Sequence, residues 1–320
     1  MAHELTQRAN GATEMAYIGE TPWHGLGQRL EDNAGIDTWI TAAGMDWKVC
    51  RSRVRYGEAP NQRVFDDAHV LFRSDSKDPL GIVSPSYKIV QPREVLEFFR
   101  DIAGTQGAKL ETAGTMFGGR RFWALANLGR AELIRGNDEV RQYLLLTSSC
   151  DGSSATEARE TIVRVVCNNT LSAALSVKSK NTVRVTHRSV FDEAAVKANL
   201  AATGGHFQAF VEAAQTLARR NVSVKKAEEF VAALLAGATT REDVTETPGY
   251  KSIMGLFKTS AIGGTLLSAE GTAWGLVNAV TEHVDHRARA RTQENRVASA
   301  WFGDGDTLKT KAFEMALALA

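Results

Sequence analysis

Near residue 190 the hydrophobic pattern of this chain changes its period, and that change restricts the folds open to it. Before it, short runs rich in β-branched and aromatic residues recur: WKVCRSRVRYG (47–57), HVLFR (69–73), LGIVS (80–84), AKLETAGTMF (108–117), RRFWALANL (120–128) and RQYLLLTSS (141–149). Such runs, several bounded by Gly, Pro, Asn or Asp, read as strands. One helix interrupts them. PREVLEFFRDIAG (92–104) starts on Pro92, carries an apolar stripe at Val95, Leu96, Phe98, Phe99 and Ile102, and stops at Gly104. After residue 190, Ala, Leu, Glu and Lys dominate. HFQAFVEAAQTLARRN, SVKKAEEFVAALLAG with Ser223 as N-cap, AEGTAWGLVNAVTEHVDHRARARTQENRVASAWFG and DTLKTKAFEMALALA read as helical. The expected fold is α+β: a mostly antiparallel N-terminal sheet with one packed helix, then a helical C-terminal region. The expected divisions are an N-terminal arm (1–35), a β-rich core (36–190) and a helical region (191–320). RGNDE (135–139) and TREDVTETPGYKS (240–252) read as surface loops. Gly118-Gly119 reads as a two-residue hairpin turn.

At the seam lies a window without carboxylates. From Thr161 to Phe191 the chain holds Arg164, Lys178, Lys180, Arg184 and Arg188 and no Asp or Glu, although the whole chain has 38 basic and 37 acidic side chains. The cluster is therefore local. A solvated loop paired with acids from elsewhere accounts for such a run, and so does a site for a polyanion. Two further basic elements precede it. Arg51, Arg53 and Arg55 alternate along one strand-like segment and share a face if the period is two. Arg120 and Arg121 adjoin Phe122 and Trp123, the mixture of cations and rings that single-stranded nucleic acid requires. A third basic element, Arg287, Arg289 and Arg291, reads as helical, with Arg287 and Arg291 on one face.

The motifs of nucleotide and covalent chemistry are missing. The sequence has no GxxxxGK[ST], no GxGxxG after a strand and no G-x-S-x-G. Asp151, Gly152 and Ser153 read as a turn between strands, or as a loop offering N–H and hydroxyl groups to an anion. Cys50, Cys150 and Cys167 have no CxxC spacing, so neither a disulfide framework nor zinc is expected. His283 and His286 stand three apart, not the four of HExxH, and read as polar residues of a helix surface. No cofactor and no metal are expected. The N-terminus lacks the apolar core of a signal peptide, and no run is long enough to span a bilayer. A cytoplasmic protein without membrane contact is the expectation.

PWHGLG (22–27), GIVSPSYKIVQPREV (81–95), GRRFWALANL (119–128), DGSSA (151–155) and RVVCNNTLSAAL (164–175), with the ending ENRVASAWFGDGDTLKTKAFEMA, resemble the phage/plasmid-like protein family, a domain of unknown function carried by bacteriophages and plasmids. The resemblance implies a mobile-element origin and a bacterial host cell, and no chemistry. The family has a His before DGS where this chain has Cys150. The order of extended segment, helix 92–104, strand, Gly-Gly turn and strand is also similar to phage single-strand annealing proteins of the Rad52 and Erf type. Those proteins build a curved sheet over a helix and form rings or filaments on DNA. Together these readings predict a single-stranded nucleic-acid-binding or annealing protein, working as a homo-oligomer. Its contacts would be Arg51, Arg53, Arg55, Arg120, Arg121, Phe122, Trp123, Arg164, Lys178, Lys180, Arg184 and Arg188. The alternatives are a factor binding host or phage proteins through its Ala-rich helices, and an enzyme acting on nucleotides or nucleic acid around Asp151 and Ser153.

Overall fold

The computed structural model describes residues 6, 8, 11–19, 26–105, 107–166, 169–172, 182–185, 206–236 and 243–319. Strands fill its first half: β1 (Met15–Tyr17), β2 (Gln28–Arg29), β3 (Val49–Tyr56), β4 (Arg63–Arg73), β5 (Pro79–Val83), β6 (Lys109–Met116), β7 (Arg121–Leu133), β8 (Glu139–Ser149), β9 (Thr156–Arg164), β10 (Asn169–Ser172) and β11 (Thr182–Val185). Two helices lie among them, α1 (Ile36–Ala42) and α2 (Pro92–Thr105). The second half is helical: α3 (His206–Arg219), α4 (Val224–Ala236), α5 (Pro248–Gly255), α6 (Ala273–Glu282), α7 (Gln293–Phe302) and α8 (Asp304–Leu317). The chain is α+β.

The large sheet runs β10-β9-β8-β7-β6-β1-β2, with β11 also pairing β9. Its pairs are antiparallel except β1 with β2, which is parallel. The stretch expected as an arm therefore supplies two strands, because the apolar run Met15-Ala16-Tyr17 is buried against β6. The turn between β6 and β7 is longer than the two residues expected. Phe117, Gly118 and Gly119 all have positive φ, and the strands end at Met116 and resume at Arg121.

Both faces of the large sheet are covered. One packs on α1, α2 and the small antiparallel sheet β3-β4-β5 through Trp39, Leu96, Phe99, Phe122 and Leu144. On the other, Met15, Met116 and Trp123 meet Trp301 and Phe302 of α7. The helices form their own core around Phe210, Trp274 and Phe313, joined by Val140 and Ile162 of the sheet.

The helical half is fastened to the sheet by buried charge. Asp138, expected in a surface loop, is fully buried. It accepts hydrogen bonds from Arg164 Nε (2.7 Å), Trp274 Nε1 (2.9 Å) and the Ser268 hydroxyl. Arg164 also donates to the carbonyls of Gly263 (3.1 Å) and Ile262 (3.4 Å). Nearby, Lys309 directs its ammonium to Asp285 (2.7 Å) and to the Thr170 carbonyl (2.7 Å) and hydroxyl (2.9 Å). Those three acceptors match its three donors.

Elsewhere in this half the loop expected over 240–252 is partly helical, since Thr247 caps α5 at Tyr250 N and Pro248 occupies the first turn. The long helix expected through 291 breaks after Arg287, and Thr292 caps a new one. Arg287 and Arg291 therefore do not share a helix face.

Removing one member of a buried ion pair leaves the other charge desolvated, at a cost of about 3 to 5 kcal/mol. Arg164→Ala is predicted to lower unfolding free energy in urea by that amount. An unchanged midpoint would contradict the burial of this pair.

Candidate nucleic-acid interface

The β3–β4 hairpin starts in the core and leaves it. Val49, Leu71 and Arg73 are buried at its base, while no residue from Arg53 to Asp67 is buried. The base is held by Arg73. Its guanidinium donates to both oxygens of buried Glu14 (2.7 and 3.2 Å), to both of Asp75 (2.9 and 3.0 Å), and to the Gly118 carbonyl (3.3 Å). It also lies 4.3 Å from the centre of the Trp47 ring. Burial disfavours the Arg73 charge, yet the bonds to Asp75 and Glu14 hold its pKa above the ordinary value. Asp75 is in turn held down to about 2, chiefly by its bond to Arg73. Thr115 donates to Glu14, so this one carboxylate ties β4 to β6. Gly44 has φ +76°, and a Cβ there would collide with the Glu14 side chain. The outer edge of β3 is sealed near its base by Gln91, whose amide accepts from Val49 N (2.9 Å) and donates to Val49 O (3.2 Å).

From this anchor the two faces of the hairpin diverge. Arg51, Arg53 and Arg55 alternate on one face, opposite Leu71, His69 and Val64. All three arginines are exposed. Arg51 donates to the Tyr87 carbonyl (2.5 Å), and among the described residues no acid pairs with any of the three. The other face carries Ser52, Val54, Tyr56, Phe65, Val70 and Ile82, with Arg63 opposite Tyr56 at the tip. A three-residue bulge in β4 between Phe65 and His69 separates the base register from the tip register.

The remaining predicted contacts divide differently. Arg120 is exposed, in the turn whose Gly119 abuts Trp47 and Arg73 at the ribbon base. Arg121 is half-buried, 5.3 Å from the Phe302 ring and 6.0 Å from Phe117. Phe122 and Trp123 are buried, and this corrects their assignment as base platforms. Phe122 packs on Trp47 (6.0 Å between centres) and Trp123 edge-on to Trp301 (5.1 Å), because both sides of β7 are covered. Arg164 is corrected as well, since its guanidinium belongs to Asp138. Arg184 lies in β11, at the register position opposite Glu157 of β9. Lys178, Lys180 and Arg188 lie outside the described residues. Among the described residues the exposed rings are Tyr56 and Phe65, packed edge to face at 6.5 Å. For Tyr56 the sequence signal lies in RVRY (53–56), where arginine and apolar positions alternate at period two.

The Asp151 loop turns on itself. Asp151 accepts from Ser153 N (2.8 Å), and the Ser149 hydroxyl bonds both the N–H and the carbonyl of Ser154. Cys150, before it, is buried, and burial with the Asp151 charge pushes its thiol up to about 12. A thiol held protonated is a poor nucleophile. His283 Nδ1 meets the Ser252 hydroxyl at 2.8 Å, and Asp285 is occupied by Lys309 and Thr170. Among the described residues no three His, Cys, Asp or Glu side chains converge as a metal site requires, and no helix is long and apolar enough to cross a membrane.

A family model, "Domain of unknown function (DUF932)", matches residues 79–301. The chain belongs to that family. The match runs from β5 into α7, so β3 and β4 precede it. No curated protein and no solved structure matches the chain.

Cys150 is predicted to resist iodoacetamide in the native protein at pH 8 and to be alkylated only after unfolding, as read by peptide mass mapping. Fast native labelling would contradict its burial.

Proposed function

We propose that this DUF932 protein binds single-stranded nucleic acid, with Arg51, Arg53 and Arg55 as its phosphate contacts and Arg120 at the near end of the same surface. The observation that carries the reading is the arginine file itself: three exposed cations, without acid partners among the described residues, at period two on a projecting strand. Residues two apart on a strand are about 6.6 Å apart. That is comparable to the separation of successive phosphates along a nucleic-acid strand, so neighbouring arginines can meet neighbouring phosphates. Like charges so placed repel each other, and a polyanion relieves that repulsion while releasing its own counterions.

On β3 itself the side opposite the file carries Ser52, Val54 and Tyr56, so this strand offers charge on one side only. The resemblance of the DGSSA and RVVCNNTL segments to phage and plasmid proteins supports a role in recombination or replication of a mobile element, in the cytoplasm of a bacterial host. Recognition by charge needs no nucleotide or metal. The enzyme reading around Asp151 and Ser153 has weaker support, since Asp151 caps its own turn.

The test is a salt titration of binding to a labelled oligonucleotide, followed by fluorescence anisotropy. The log–log slope is expected to be about −0.7 per phosphate neutralised. Arg53→Ala with Arg55→Ala should weaken binding at least tenfold for any base sequence and make the slope shallower by about 1.4, at about 0.7 for each arginine removed. Absence of binding at low salt, or an unchanged slope in the double variant, overturns the proposal.

A further inference from the structure

The small sheet ends at β3, and beyond its base that edge is open. The strand order is β3-β4-β5, so β3 has a neighbour on one side only. Successive residues of an edge strand direct their N–H and C=O groups alternately to the neighbour and outward. Two contacts fix the direction at each residue here. The Lys48 carbonyl accepts from Ser74 N (2.9 Å), on the β4 side, whereas Val49 N and O meet the Gln91 amide at 2.9 and 3.2 Å. From there β3 runs to Tyr56 without an inserted residue, the extra residues of the bulge being on β4. The backbone groups of Arg51, Arg53 and Arg55 therefore point outward, like those of Val49. Among the described residues, the one group bonded to them is the adjacent Ser52 hydroxyl, 3.5 Å from the Arg53 carbonyl. The three arginines thus carry both the charged file and the unused backbone of the edge.

Gln91 shows what this edge accepts. Its amide oxygen takes the Val49 N–H and its amide N–H gives to the Val49 carbonyl, the two-bond exchange of an antiparallel pair. We infer that the edge from Arg51 to Tyr56 takes an extended acidic segment of another polypeptide as a fourth, antiparallel strand, continuing from where Gln91 stands.

The side chains choose this partner. In a two-bond pair the opposed residues point their side chains to the same face, so the residue opposite each arginine lies beside a guanidinium. Carboxylates at period two meet all three arginines, and opposite charges across strands stabilise the pairing. The residues between them fall beside Ser52, Val54 and Tyr56, where Thr or Val suits a pleated surface. A second copy of β3 is excluded, because antiparallel pairing would set arginine against arginine; charged side chains guard edges against such self-pairing. Main-chain bonds supply the affinity of an added strand and alternate side chains its selectivity. A segment so seated covers the arginines assigned above to phosphates, so it competes with nucleic acid. The edge and its partner go beyond the nucleic-acid reading, and only the competition rests on it.

Fluorescence anisotropy of the full chain reads this, with a labelled peptide of about eight residues, a common strand length, in which Glu alternates with Thr. It should bind roughly tenfold or more tighter than a peptide of the same composition with its Glu residues in one block. N-methylation of the Glu residues, whose N–H groups face β3, should abolish binding. N-methylation of the Thr residues, whose N–H groups face away, should change it by less than about threefold. Absence of binding overturns the inference, as does equal binding of alternating and block peptides or indifference to methylation of the Glu residues. Where a labelled oligonucleotide binds, the alternating peptide should displace it, and simultaneous binding of both contradicts the shared use of the arginines. An oligonucleotide that binds while the peptide does not sinks this inference alone. A peptide that binds while no oligonucleotide does sinks the nucleic-acid reading alone.

Discussion

The bidentate bond between Arg73 and Glu14 fixes the geometry on which the candidate interface depends. It is the point where β4 of the small sheet meets the N-terminal strand region and β6 of the large one. Charge-assisted pairs of this shape are directional as well as strong. Buried as it is, the pair is supported on every side: Thr115 donates to Glu14, Asp75 accepts from Arg73, and Trp47 covers the guanidinium. The anchoring has a consequence for β3 and β4. Their bases are locked at Val49 and Arg73, while no residue from Arg53 to Asp67 is buried. Arg53 and Arg55 lie in that exposed part, away from the clamped end of the hairpin.

The same device recurs where the helices meet the sheet. Asp138 with Arg164, and Asp285 with Lys309, are buried pairs whose remaining polar atoms are met by backbone carbonyls, hydroxyls and an indole. Such pairs add little net stability compared with apolar replacements, but a mispaired arrangement strands a charge. They therefore specify how two separately patterned halves dock, which apolar packing alone leaves loosely determined. The outward face of β3-β4-β5 is the exception to this closure, with Tyr56, Phe65 and Ile82 exposed.

Much of the fold was legible because local period carries it. Helix 92–104 is found at Pro92–Thr105, and Ser223 does cap α4, accepting from Lys226 N (3.3 Å). The strand at 141–149 is found at Glu139–Ser149. What local pattern could not say is which side of a strand is covered. Phe122 and Trp123 read as rings offered to bases, yet they point to opposite sides of β7 and both sides are covered, Trp123 by Trp301 of α7, about 180 residues later in sequence. Asp138 looked like a loop acid because its partners, Arg164, Ser268 and Trp274, are distant in sequence. Arg164 was misread for the same reason, since a missing acid within its own window says nothing of acids brought by the fold. The arginine strand was readable because it needs no long-range information: its period is its own, and the hairpin tip beyond it is exposed.

Arginine footprinting tests the central claim most directly. The protein is treated with a glyoxal reagent with and without a saturating single-stranded oligonucleotide, and modified sites are read by mass spectrometry. Bound strand should protect Arg53 and Arg55 and leave Arg93 and Arg100 of α2, and Arg289, as reactive as before. Equal modification of Arg53 and Arg55 in both samples, with protection appearing elsewhere, would contradict a phosphate site on the β3 ribbon.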